Sequence, residues 1–111
     1  MSQAIPLTNS SQLAQRVGHE VRIIGKVLKV GMHLVSGEIL LLEASDNGTV
    51  EIKLQPGETP TSQYVEVIGR VSSSGDAITQ HALLSLGDNL DLSLVESLVK
   101  FTPQYPSLFA D

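Results

Sequence analysis

The chain has 111 residues, a formal net charge of −5 from 12 acidic against 7 basic side chains, 41 % apolar residues and no cysteine. That length holds one domain around one core, and the missing cysteines exclude disulfides, thiolate catalysis and cysteine-based zinc sites. An acidic balance with few aromatics (Tyr64, Phe101, Tyr105 and Phe109) argues against strong independent binding of nucleic acid, which needs clustered Lys and Arg and aromatic faces for stacking bases.

Residues 1–8 read as an extension without the basic and apolar regions of a signal peptide, and no stretch is long and apolar enough to cross a membrane. A reducing, intracellular setting is expected. Residues 9–18 read as a short helix, with Asn9 or Ser10 as N-cap, Gly18 at its end, and Leu13 and Val17 docking it. Residues 20–30 form a β-branched strand: Val21, Ile23 and Val27 share one face, Arg22 and Lys26 the other. Gly25 within it marks a bulge or sharp coil. Residues 31–37 read as a loop. A second strand, 38–44, is apolar on both faces and therefore central.

Asp46-Asn47-Gly48 is a tight-turn signal leading into a strand over 49–54, with Val50, Ile52 and Leu54 inward. The prolines and glycine of 55–63 make that segment a loop. Residues 64–71 form a fourth strand with an interior Gly69, and 77–86 a fifth with poorer alternation. The two glycosylation-like triplets, at Asn9 and Asn47, fit a helix cap and a turn better than sugar sites, given no secretory signal.

Residues 91–102 carry the most informative pattern. On a helix, Leu92, Leu94, Val95, Leu98, Val99 and Phe101 span an apolar arc of roughly 180°, where docking on one core needs only about 100°. They sort into two ridges, Leu94/Leu98/Phe101 and Leu92/Val95/Val99, and each can meet a different neighbouring helix. The expected cover is another polypeptide. Asp91 is the expected N-cap, although Ser93 and Glu96 have capping-box spacing that would start the helix two residues later; Pro103 is expected to stop it. Residues 103–111 read as a tail.

A helix, five strands with two glycine-interrupted members, and a second helix make an all-β fold with flanking helices. The expected architecture is a five-stranded OB-fold barrel over 9–90, with a short N-terminal helix and a C-terminal amphipathic helix. An open five-stranded sheet with both helices on one face is the alternative.

Arg22, Lys26, Lys29 and Arg70 are candidates for a modest cationic strip with weak DNA contact; the plainer reading is a solvated face paired with Glu20, Glu51 and Glu66. His19, His33 and His81 have no metal-ligand spacing. Phosphate loops, nucleotide fingerprints and nucleophile elbows are missing, so neither an enzyme nor a cofactor or metal site is expected.

Several strings, in order along nearly the whole chain, resemble the smallest subunit of replication protein A, the eukaryotic heterotrimer that binds single-stranded DNA. They are Leu13-Ala14-Gln15, Ile24-Gly25-Lys26-Val27, Asp46-Asn47-Gly48-Thr49-Val50-Glu51 and Val65-Glu66-Val67-Ile68-Gly69-Arg70-Val71. The most specific part is the ending, Asp91-Leu92-Ser93-Leu94 through Phe101-Thr102-Pro103-Gln104-Tyr105-Pro106. The resemblance implies a barrel whose terminal helix joins one helix from each of two larger subunits in a three-helix bundle. It also implies that single-stranded DNA is met mainly through those partners, in the nucleus, in replication, repair and recombination. A small barrel of a telomere-capping trimer or a free-standing oligonucleotide-binding module are the competing readings.

Overall fold

The computed structural model describes residues 5–33 and 37–104. In chain order these form β1 (Leu7–Thr8), a 3-10 helix (Ser10–Gln15), β2 (Glu20–His33), β3 (Gly37–Ala44), β4 (Thr49–Lys53), β5 (Tyr64–Val71), β6 (Ala77–Gly87) and α1 (Leu92–Gln104). β2 pairs with β3, β3 with β4, β4 with β6, β6 with β5, and β5 returns to β2. Five strands thus close on themselves, leaving no free edge in the ring. β4 and β6 run parallel; the other pairs of the ring are antiparallel.

Closure depends on β2 serving two partners. Residues 20–26 pair with β5 and residues 25–33 with β3, so Gly25 and Lys26 are bonded on both sides. A Cβ on Gly25 would stand 2.3 Å from the Glu43 carbonyl oxygen, so only glycine lets the backbones approach there. Gly25, where a bulge or sharp coil is expected, sits where β2 passes from β5 to β3; the bulge itself lies further on, between Val27 and Lys29, with Leu28 as the extra residue. At Gly69 a register shift does occur, and a Cβ would stand 2.1 Å from the Thr79 carbonyl oxygen. The expected loop over 31–37 is shorter, because β2 and β3 stay paired as far as His33 opposite Gly37.

The period-2 patterning fills the interior. Val21, Ile23, Leu40, Leu42, Val50, Ile52, Val65, Val67 and Ile78 are buried in one cluster, each contributing about 1.5–3 kcal/mol. Leu13 joins them from the 3-10 helix and plugs one end of the ring. That helix is shorter and tighter than the expected residues 9–18: Asn9 caps it, its side chain accepting from the Gln12 N–H at 3.2 Å. Asp46 accepts from the Ser10 and Ser11 N–H groups at 3.3 and 3.0 Å. The helix ends at Gln15, leaving Val17 exposed rather than docked.

Residues 7 and 8 belong to the fold and not to an extension. Leu7 and Thr8 are buried, and β1 pairs in parallel with β2, Leu7 opposite Arg22. At the other end α1 runs to Gln104, through Pro103. A proline in the last turn removes only one backbone bond, which the rest of the helix can bear. Of the expected tail over 103–111, residues 105–111 lie outside the described residues.

Candidate partner interface

α1 begins at a built cap. Asp91 accepts from the Ser93 N–H at 2.9 Å and the Ser93 hydroxyl at 2.6 Å, and its carbonyl accepts from the Leu94 N–H at 3.1 Å. The Ser93 hydroxyl and N–H hold the Asp91 carboxyl below its ordinary range. The capping-box start at Ser93 does not form, because Glu96 turns toward the barrel.

The two apolar ridges of α1 have different fates. Val95 and Val99, 5 % and 0 % exposed, pack with Leu7 in a second core cluster, against which Ile24, Leu90 and Leu92 also lie. The ridge Leu92/Val95/Val99 is therefore occupied by the chain's own barrel and leaves little surface for a partner. That narrows the expected interface, because Ile24 on the outer face of β2 and Leu7 on β1 supply a hydrophobic strip along which the helix lies. Leu94, Leu98 and Phe101 are 65 %, 48 % and 41 % exposed. Roughly 120° separates the ridges around the axis, so a helix docked by one presents the other. Three large apolar side chains therefore stand exposed along one face of α1.

Three polar residues fix this helix: Ser45, which sequence reasoning did not single out, and Asn9 and Glu96, which it reads only as capping candidates. Glu96 accepts from the Ser45 hydroxyl at 2.7 Å and from the Asn9 side-chain amide at 3.1 Å on each oxygen. Asn9 and Ser45 are both buried. The available signal was the position of Glu96 beside Leu92 and Val99 on the helical wheel, at the edge of the buried stripe.

The cationic strip is not one patch. Arg22 and Lys26 share the outer face of β2, but Arg22 donates to the Ile5 carbonyl at 2.9 Å and pairs with Glu66 at 3.5 Å. Arg70 sits opposite Glu20 at the start of β2 and donates to the Gly18 carbonyl at 2.7 Å. Lys29 lies nine residues along β2 from Glu20, on the stretch paired with β3 and not with β5. Lys29 instead lines a shallow cavity of about 210 Å³ with Gly31, Met32, Ile39, Leu41 and Glu51 on the outer wall. No aromatic lines it, so it offers bases no stacking platform. Among the described residues no group of three or more His, Cys, Asp or Glu could hold a metal ion.

The family model for replication factor A protein 3 matches residues 1–109. The chain belongs to that family. A solved structure of U. maydis replication protein A bound to ssDNA contains a chain 39 % identical to this one, with a TM-score of 0.88 and all of both chains covered. Two more distant structures share the fold: the OBody AM1L10 bound to hen egg-white lysozyme (22 % identity, TM-score 0.55, 71 % of this chain and 91 % of that one), and a replication protein A heterotrimer bound to ssDNA (12 %, TM-score 0.59, 79 % and 73 %). No curated protein matches significantly. As a replication factor A protein 3 chain, this protein has the expected OB fold, with the Leu92/Val95/Val99 ridge of α1 docked on its wall.

Proposed function

We propose that this chain is the small structural subunit of a heterotrimeric replication protein A complex, joined to its two larger subunits through Leu94, Leu98 and Phe101 of α1. The observation that carries the reading is the second ridge of α1: exposed, apolar, and held on a helix already docked by its first ridge. The U. maydis relative, alike over its whole length, comes from replication protein A bound to ssDNA. Single-stranded DNA is met mainly through the larger subunits, since this chain is acidic and its cationic groups are scattered and partly engaged. The role is structural and not catalytic, its setting the nucleus, and its processes replication, repair and recombination.

The test is co-expression with the larger subunits. Leu94→Glu with Leu98→Glu is expected to leave the chain folded and abolish co-purification, because two charges would be buried unpaired in the contact. Arg22→Ala with Lys26→Ala is expected to leave co-purification intact and to change the complex's affinity for single-stranded DNA by less than about tenfold. Retention of the trimer by the glutamate variant would overturn the reading.

A further inference from the structure

We infer that Asn9 and Glu96 are a positioning pair that fixes the rotation of α1 about its own axis, so that the partner-facing ridge is set before assembly, an inference that rests on the partner reading above. Val95 and Val99 are one turn apart on a single stripe and hold the helix along a line. Contacts along a line resist lifting but leave the helix free to roll. Glu96 lies at the edge of that stripe, about 60° around the axis from Val99 and 100° from Val95. Its carboxylate is tied to two separate parts of the barrel: Ser45, just after β3, and Asn9, just after β1. A roll by one residue spacing would carry Leu94 toward the barrel wall and break all three bonds.

Asn9 is suited to this because its two ends do different jobs. Its carbonyl oxygen accepts from the Gln12 N–H at 3.2 Å and the Ser11 hydroxyl at 2.9 Å, capping the 3-10 helix. Its amide nitrogen donates to both oxygens of Glu96. Reversing the amide would set an oxygen against the carboxylate and an N–H₂ against the Gln12 N–H, so the orientation is dictated by both neighbours. The helix that plugs the barrel and the helix that meets partners therefore share one residue. Lys100 stands 3.9 Å from Glu96 but is highly exposed, and adds little to the anchor.

Asn9→Asp separates the two jobs: the acid still caps Gln12, yet turns a carboxylate oxygen toward Glu96. Asn9→Asp with Glu96→Gln reverses donor and acceptor and restores the bond. In the full chain, Asn9→Asp is expected to speed amide exchange in α1 while β2 to β6 exchange as before. It is also expected to weaken association with the co-expressed larger subunits by about tenfold or more, and the double variant to recover to within about threefold of wild type. Glu96→Ala, which removes the anchor without repulsion, provides a second variant and is expected to show the same split between assembly and barrel exchange. Normal assembly by Asn9→Asp and Glu96→Ala, or a folded double variant no better than Asn9→Asp, would overturn the inference. Leu94→Glu with Leu98→Glu is run beside them. If that variant assembles, the partner reading itself fails; if it alone is lost, only the positioning pair fails.

Discussion

Neighbouring residues on α1 are expected to answer oppositely to the same truncation. Val95 is 5 % exposed and Leu94 65 % exposed. Val95→Ala removes about two methylene equivalents, or about 1.6 kcal/mol, to which a small cavity adds roughly 0.4 kcal/mol. Alanine's better helix propensity offsets about 0.5 kcal/mol, leaving about 1.5 kcal/mol. Helix docking is a local equilibrium, so the loss is read as faster exchange of α1 amides, by about tenfold at 1.4 kcal/mol per decade. Leu94→Ala removes atoms already in water and is expected to change the same rates by less than about twofold. Hydrogen–deuterium exchange of the full chain measures both, with the strands of the ring as internal reference. Equal acceleration by the two variants, or a larger effect from Leu94→Ala, would refute the division of the helix into a buried and an exposed ridge.

Gly25→Ala is expected to destabilise the fold by about 2–3 kcal/mol, since the new methyl meets the Glu43 carbonyl. Gly31→Ala, on the same strand with open space around it, is expected to stay within about 0.5 kcal/mol of wild type in urea denaturation. Partial burial pushes the Asp46 carboxyl up, but the Ser10 hydroxyl and the Ser11, Ser10 and Gly48 N–H groups outweigh that and hold it below 3.8. A depressed folded pKa stabilises above the unfolded value and is lost as pH falls through the folded one. Asp46→Asn is thus expected to unfold at lower urea than wild type at neutral pH, with the gap closing below pH 3.8.

The strands were legible because alternation and turn chemistry act locally. Val50 and Ile52 point inward as their parity requires, and Asn47 takes the positive φ of 69° that its turn demands. Gly25 and Gly69 were visible as interruptions, but whether each marks a bulge or a close approach depends on the strand opposite, which lies far away in sequence. β1 has two residues and so no period to read; it exists because β2 offers Leu7 a partner. The width of the apolar arc on α1 was legible, its meaning only in part. Which ridge the barrel takes is decided by Leu7 and Ile24, and nothing within residues 91–102 encodes their position. Glu96 looked like a capping residue because Asn9 and Ser45 meet it only after the ring has closed.

The central claim is that the ridge of α1 turned away from the barrel meets the larger subunits. Site-specific photo-crosslinking in the assembled complex tests it directly, with the reactive side chain at Leu94 in one preparation, at Leu98 in a second and at Met32, on the distant outer wall, in a third. Crosslinks to the larger subunits from positions 94 and 98, and none from 32, are the result expected. Crosslinks from 32 with none from 94 or 98 would contradict the account and move the interface to the wall of the barrel.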